Sequence, residues 1–167
     1  GYAQNSERRF SGIPSTDWQY RFTAGRRHMG EDETIEKVLA NCRVIAVVGM
    51  SDREDRSSHG VARYLQREGF RIIPVNPNLS RPVLGEVPYA SLDDIPVSVD
   101  LVDIFRRPID VPPVVDAAIR IGASAVWMQL GIVHDGAALL ARAAGIDVVM
   151  DRCTAVEYRR LASRRKL

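Results

Sequence analysis

The residues best suited to bind an anion lie in one polar loop, VVGMSDREDRSSHG, over residues 47–60. An apolar run ends at Gly49, where glycine allows a sharp turn, and a helical pattern begins as the loop ends. The free N–H groups and the positive dipole at such a helix start favour phosphate, and arginine side chains add charge. The candidate residues of this loop are Gly49, Arg53, Arg56, Ser57 and Ser58.

Three acidic residues in the same loop leave a second interpretation open. Asp52, Glu54 and Asp55 either weaken anion binding or orient the two arginines, and a solvated surface loop has a similar composition. The loop directly follows an apolar run that predicts a buried strand. Because ligands bind outside the carboxyl ends of parallel strands, this position favours a phosphate site.

Two well-known phosphate-binding motifs are absent from the sequence. The dinucleotide motif G-x-G-x-x-G fails because the glycine that follows Gly49 is Gly60, and no G-x-x-x-x-G-K-[ST] sequence occurs, which excludes a P-loop NTPase. NAD-binding domains usually place an acidic residue after the second strand, whereas Asn76, Pro77 and Asn78 stand here. NAD is therefore disfavoured, and an adenine nucleotide held in another way stays open.

Two later loops offer surfaces of different character. In IFRRP, Phe105 provides a stacking face, Arg106 and its neighbouring arginine carry charge, and Pro108 makes the exit rigid. Adjacent strand residues point to opposite faces, so at most one of these arginines is expected to reach a ligand. The loop WMQLGI predicts an apolar wall with one amide, which suits an extended, uncharged part of a ligand. Its candidate residues are Met128, Gln129 and Leu130.

Few residues are placed for catalysis. His59 falls in a first helical turn, where phosphate binding, packing and acid–base chemistry all stay open, and His134 marks another helix start. Cys153, after the last apolar run, is expected to be a structural or redox-sensitive thiol rather than a nucleophile. Asp103 lies inside an apolar run and is expected to be buried and hydrogen-bonded. Neither these residues nor Cys42 form a catalytic or metal-binding spacing.

Alternating strands and helices are predicted to position these loops. Short, β-branched, almost continuously apolar runs predict parallel strands that are buried on both faces. These runs are RVIAVVG (43–49), RIIPVN (71–76), VDLVDIF (99–105), ASAVWMQ (123–129) and IDVVM (146–150). Apolar residues at helical spacing predict helices. These are SHGVARYLQREG (58–69), PPVVDAAIRIG (112–122) and HDGAALLARAAG (134–145), with a lead-in helix from Glu31.

The order of these elements predicts an α/β fold, a doubly wound Rossmann-like parallel sheet of about five strands in three layers. A proline-rich connection between the second and third strands interrupts the alternation. We expect it to contain a short extra strand around Val83–Leu84 and one helical turn capped by Ser91, with Asp94 three residues later.

The composition is that of a globular protein with basic ends. With 167 residues, 46% apolar and 26% charged, the chain suits one domain. We expect an N-terminal extension over residues 1–30 (natural, disordered or derived in part from cloning), a ligand-binding domain over 31–161, and a basic tail over 162–167. Because the basic excess lies at the ends, nucleic-acid binding is disfavoured. No apolar run predicts a membrane span or a secretory signal, so we expect a cytoplasmic protein.

The sequence resembles the small bacterial CoA-binding proteins over roughly residues 35–161. The segments that carry the resemblance are VVGMSDREDRSSHGVARYLQREGFRIIPVNP, VLGEVPYASLDDIP, VDLVDIFRRP, AVWMQLGI and VVMDRC. The order and spacing of VNP, IFRRP and WMQLG are far more specific together than a single glycine motif. The family's fold is similar to the CoA-binding domain of the succinyl-CoA ligase alpha subunit and of NDP-forming acyl-CoA synthetases.

The resemblance implies coenzyme A as the ligand and assigns parts of it to the loops. The first loop would hold the phosphates through Gly49, Met50, Ser51, Arg53, Arg56 and Ser58. Arg56 stands where the family more often has lysine. The turn at Asn76 and Pro77 would lie beside the adenosine, and FRRP and MQL would line the route of the pantetheine arm.

The resemblance supplies no reaction, because the related ligases use a phosphohistidine and an ATP-grasp partner that have no counterpart here. The main hypothesis is a non-catalytic CoA or acyl-CoA binding protein that acts as a carrier, sensor or subunit, with a protein partner or homo-oligomer left open. One alternative is an NAD(P)-dependent oxidoreductase or redox sensor. Another is a protein interaction module whose pocket is vestigial.

Overall fold

The structure is a computed structural model that describes residues 30–165. The chain divides into two compact units, Gly1–Glu33 and Thr34–Leu167. Only the helical residues 30–33 of the first unit are described. Apart from residue 30, the predicted extension lies outside the described residues, as do the last two residues of the predicted tail.

Five parallel strands form one sheet and confirm the predicted fold class. They are β1 (Val44–Val48), β2 (Arg71–Val75), β3 (Leu101–Ile104), β4 (Ala125–Met128) and β5 (Asp147–Val149). Each lies inside the apolar run that predicted it, and their order is β2-β1-β3-β4-β5. Ile45 in the centre of the sheet pairs with Ile72 on one side and Leu101 on the other. The chain reverses its direction of winding between β1 and β3, which makes this the topological switch point.

Helices cover both faces of the sheet. The helices are α1 (30–41), α2 (Ser57–Arg67), α3 (Val111–Arg120), α4 (Asp135–Ala143) and α5 (Thr154–Arg165). Because side chains alternate along a strand, Ala46 and Val48 pack with α3 and α4, whereas Ile45 and Val47 pack with α1 and α2. The tyrosine of α5, Tyr158, packs against this second cluster. The result is a three-layer α/β fold.

The proline-rich connection differs from its prediction. Val83 and Glu86 form a single antiparallel bridge rather than a strand, with Leu84 between them at a φ of 53°. The predicted helical turn exists as a 3₁₀ turn over Leu92–Asp94. The Ser91 hydroxyl does not cap its backbone but donates to the Asp94 carboxylate at 3.0 Å.

The end of the chain is helical over the part that the structure describes. Helix α5 continues to Arg165, so residues 162–165 of the predicted basic tail belong to a helix. The ring of Tyr158 forms T-shaped contacts with the rings of Phe70 and Tyr64, at 5.1 and 6.4 Å between centroids. These aromatic contacts anchor a helix whose own sequence is mostly polar.

Candidate functional site

Gly49 places the first loop against the end of β3. Its φ is +85°, and a Cβ atom at this position would overlap the carbonyl oxygen of Phe105. The Gly49 N–H donates to Val75 at 2.9 Å, and the Phe105 N–H donates to Val48 at 2.8 Å. Only glycine fits this close approach at a positive φ, so the loops after β1 and β3 are held together at the switch point.

A cleft of about 670 Å³ opens at this point, beyond the carboxyl ends of the strands. Ten of the fifteen predicted site residues line it, namely Gly49, Ser51, Arg56, Ser57, Ser58, Phe105, Arg106, Pro108, Gln129 and Leu130. Four further residues complete the described lining, namely Val61, Arg107, Ile132 and Cys153. The volume lies in the range of small-molecule sites.

The first loop folds so that the start of α2 stays open. Ser58 does not cap the helix, because its hydroxyl accepts a hydrogen bond from the Ser51 N–H at 3.0 Å. The Ser51 hydroxyl in turn accepts from the Arg53 N–H at 3.1 Å. No side chain of the described residues caps α2. The His59 and Gly60 N–H groups both donate to the Arg56 carbonyl at 3.1 Å, so the N–H groups of Ser57 and Ser58, two residues that line the cleft, are the donors left for an anion.

The charged side chains in the described lining of the cleft are all positive. Three arginines line the cleft, and none of its described lining residues is an aspartate or glutamate. Arg107 pairs with Asp110 at 3.0 Å, on an exposed turn. Arg56 is exposed and Arg106 half-buried, and within the described residues neither has an ion-pair partner. Two cations are thus available to an anionic ligand.

Arg53 pairs with one of the acidic residues of its own loop. Its guanidinium donates to both carboxylate oxygens of Asp55, at 3.1 and 2.9 Å, with both side chains largely exposed. It does not line the cleft. An acid of the loop therefore orients this arginine, as one of the two interpretations held, and Arg56 is left for the ligand side.

A buried polar network supports the floor of the cleft at the end of β4. The Gln129 amide donates through Nε2 to Asp103 and to Thr154, both at 2.8 Å, and Thr154 donates to Asp103 at 3.0 Å. Burial raises the pKa of Asp103 to about 7, although hydrogen bonds from Gln129 and Thr154 lower it. Asp103 is therefore buried and hydrogen-bonded, as its sequence position predicted.

Five predicted site residues lie outside this lining. Met50 and Met128 are fully buried in the core. Asn76 donates from Nδ2 to the Met50 carbonyl at 2.9 Å, which holds the first loop against the end of β2. Pro77 is exposed beyond it, and Arg53 pairs with Asp55 as described. A role in binding stays a prediction for these five, as it does for the ten that line the cleft.

The lining residues that were not among the predicted site residues have recognisable signals. Val61 lies one helical turn after Ser58 and so shares its face of α2. Ile132 and Cys153 belong to loops after β4 and β5, which the rule for parallel sheets marks as ligand-facing. Cys153 was singled out as a thiol after the last predicted strand, but neither it nor Ile132 was among the predicted binding residues.

The histidines belong to other environments. His134 accepts the Ala137 N–H through Nδ1 at 3.0 Å and caps α4. His59 is buried in the first turn of α2, where its Nδ1 has no hydrogen-bond partner within the described residues, and it does not line the cleft. His28 lies outside the described residues. In the described part of the chain no group of histidine, cysteine or acidic side chains is arranged to hold a metal ion.

None of the described helices is both long and apolar enough to span a membrane.

Known proteins are similar to this chain in sequence and in fold. The chain is 38% identical to YneT, an uncharacterized protein of Bacillus subtilis (strain 168), over 124 residues, or 74% of this chain and 91% of that one. A hypothetical protein from Pyrococcus horikoshii OT3 is 37% identical with a TM-score of 0.75, over 78% of this chain and 92% of that one.

A part of a larger enzyme has the same fold. The dinucleotide-forming acetyl-coenzyme A synthetase 1 of Ca. Korarchaeum cryptofilum matches 63% of this chain with 25% of its own, at 23% identity and a TM-score of 0.56. The sequence profile of the CoA binding domain matches residues 43–159, which contain the whole sheet and every described residue that lines the cleft. The chain therefore belongs to the CoA binding domain family.

Proposed function

We propose that the cleft at the switch point binds coenzyme A or an acyl-CoA. The observation that carries the proposal is the positive charge of the cleft. Its lining contains two unpaired arginines and an uncapped helix start, and its described residues include no carboxylate. CoA brings a pyrophosphate and a 3′-phosphate, which need several cationic and N–H donors at once.

In this proposal, different loops bind different parts of CoA. The start of α2 and Arg56 bind phosphate, and Arg106 lies within the same cleft as a second cation. Asn76 and Pro77 flank the adenosine. The wall formed by Phe105, Gln129 and Leu130 guides the pantetheine arm, whose apolar carbons and amides match a lining of apolar side chains with one amide.

The protein acts as a carrier, sensor or subunit rather than as a catalyst in its own right. The charged side chains of the described lining are arginines, which stay protonated and do not transfer protons near neutral pH. A cytoplasmic location fits the two cysteines, Cys42 and Cys153, which are both free thiols.

Calorimetric titration with CoA, acetyl-CoA, dephospho-CoA, NAD, NADP and ATP tests the proposal. We expect CoA species to bind and NAD not to bind. A thermal-shift assay should agree, since a ligand at 100 times its Kd stabilises the folded state by about 2.7 kcal/mol. Binding of NAD without any response to CoA species would overturn the assignment, and a preference for acetyl-CoA over CoA would identify an acyl carrier.

A further inference from the structure

Cys153 occupies a defined position on the wall of the cleft. It is half-buried, lines the cleft, and accepts the Glu157 N–H at 3.0 Å as the residue directly before α5. Its loop is tied to the loop after β4, because the Gly131 N–H donates to Asp151 at 2.7 Å. The Trp127 indole also donates to the Arg152 carbonyl at 2.7 Å. Cys153 is therefore held at the cleft by a fixed loop.

Gln129 indicates independently that this part of the cleft receives a ligand. Its side chain is only 4% exposed, yet it lines the cleft. Because Nε2 donates to both Asp103 and Thr154, the amide is locked with its oxygen on the other side. That oxygen has no hydrogen-bond partner within the described residues. The oxygen is thus left as an acceptor at the cleft, where it fits a ligand that carries an N–H group beside Cys153, the neighbour of Thr154.

The pantetheine arm has the right chemistry and reach for these two groups. It carries amide N–H groups along its length and ends in a thiol. Helices α2 and α5 lie side by side, joined by Tyr64 and Tyr158, and packed helices are roughly 8–10 Å apart. The arm is about as long as four extended peptide residues, roughly 14 Å. An arm whose phosphates contact the start of α2 can therefore reach Cys153.

We propose that Cys153 forms a mixed disulfide with CoA by exchange with CoA disulfide, an inference that rests on the CoA binding proposed above. The Cys153 thiolate attacks one sulfur of CoA disulfide and forms a new S–S bond. The original S–S bond breaks, and its electron pair leaves with the second CoA as a thiolate. The proton that Cys153 loses passes to solvent or to this thiolate. Cys153 is oxidised and the departing CoA is reduced, so CoA disulfide is the oxidant and the step needs no other.

Cys42 provides a matched control within the same chain. It is 8% exposed and lies before β1, at the amino ends of the strands, away from the cleft. Burial raises the pKa of Cys42 to about 12, with further contributions from the nearby Asp100 and Asp103 charges. The thiolate is the reacting species, so Cys42 is expected to be inert.

Intact-mass spectrometry of the full chain after incubation with CoA disulfide tests the inference. We expect one CoA adduct, reversed by dithiothreitol, on the wild type and on Cys42→Ser, and its loss in Cys153→Ser. Desulfo-CoA, which occupies the cleft without a thiol, should slow the reaction. An adduct that persists in Cys153→Ser, or a rate with glutathione disulfide equal to that with CoA disulfide, would refute the assignment.

Titration of Cys153→Ser with reduced CoA separates the two proposals. If this variant binds CoA while the wild type gains no adduct, the disulfide inference fails and the proposed function stands. If neither protein binds CoA, the proposed function fails and takes the inference with it. Circular dichroism of both cysteine variants checks that each is folded.

Discussion

At the amino ends of the strands a cavity of about 340 Å³ is lined by Lys37, Asp100 and Asp147, whereas the carboxyl ends border the arginine-lined cleft of about 670 Å³. At these amino ends, here called the amino edge, the charged side chains bind partners within the protein; the carboxyl ends are called the carboxyl edge. Asp100 accepts the N–H groups of Arg43 and Val44 at 3.0 and 2.9 Å, and Lys37 pairs with Asp147 at 2.9 Å.

The carboxyl edge leaves its polar groups available. The side chains of Arg56 and Arg106 and the side-chain oxygen of Gln129 have no hydrogen-bond or ion-pair partner within the described residues, and α2 starts without a side-chain cap. Both edges end the same strands, but helices begin at one and end at the other, so free N–H donors gather only at the carboxyl edge. The polar groups at one edge are paired within the protein, whereas those at the other are available to the proposed ligand.

Two glycines test how strictly each edge constrains the backbone. Gly49→Ala should destabilise the fold by about 3 to 5 kcal/mol, because the added methyl group overlaps the Phe105 carbonyl at a positive φ. Gly145→Ala, beside the amino-edge cavity at φ +80° and with no atom within 4 Å of its Cβ, should cost only about 1 to 2 kcal/mol. Urea unfolding measures both, and equal losses would show that close approach at Gly49 is not decisive.

The buried acid beneath the cleft should make stability depend on pH. The pKa of Asp103 is raised from 3.8 to about 7, so the folded state binds a proton more tightly than the unfolded state does. Its contribution therefore favours folding below pH 3.8, and this advantage is lost as pH rises through about 7. The change between pH 5 and pH 8 is on the order of a few kcal/mol.

Asp103→Asn should remove that part of the pH profile, as measured by urea unfolding of both proteins at pH 5 and pH 8. The amide keeps an acceptor for Gln129 and carries no charge to bury. A profile that is unchanged by the substitution would contradict the role of this carboxyl group.

Substituting one polar residue at each edge should have opposite effects: one variant loses stability and the other loses CoA affinity. Asp100→Ala leaves the Arg43 and Val44 N–H groups without their acceptor and should cost about 2 kcal/mol of stability, with CoA affinity unchanged and Asp100→Asn restoring most of the loss. Arg106→Ala should weaken CoA binding by about 2 kcal/mol, roughly 30-fold, with stability changed by less than about 0.5 kcal/mol. Calorimetry and urea unfolding of each variant measure the two effects. A variant that lost both stability and CoA affinity would contradict the difference between the two edges.

Two arginines of the same loop give the smallest expected difference. Arg56→Ala should raise the Kd for CoA about tenfold, whereas Arg53→Ala, whose side chain is paired with Asp55 outside the cleft, should leave it nearly unchanged. Titration with dephospho-CoA sharpens the result. A smaller loss with that ligand assigns Arg56 to the 3′-phosphate, and an equal loss assigns it to the pyrophosphate.

Much of the fold was predictable because buried parallel strands and amphipathic helices leave local patterns. The apolar runs around Ile45 and Val126 marked two strands correctly, and Gly49 marked the turn into the first loop. Helix α5 was not predicted, because its stability depends on Tyr158 packing against Tyr64 and Phe70, far away in sequence. Ser91 was assigned a cap that its hydroxyl does not make, since Asp94 competes for the same donor.

The lining of the cleft was predictable as a set of loops, and less so as a set of side chains. The rule that ligands bind at the carboxyl ends of parallel strands identified the loops that border the cleft. It could not tell that Met50 and Met128 point into the core, or that Asp55 removes Arg53 from the lining. Those outcomes depend on strand pleat and on ion pairs that form only after folding.

By itself the sequence determined the alternation of strands and helices, the absence of a P-loop or dinucleotide glycine motif, and the family resemblance. These follow from local spacing and composition. Only the tertiary structure decided that Asp103, Gln129 and Thr154 meet in one network, and that Cys153 shares a cleft with Arg56. These groups come from different loops and helices, and hydrogen bonds and ion pairs act over a few ångströms. Their partners are therefore decided only when the strands and helices pack together.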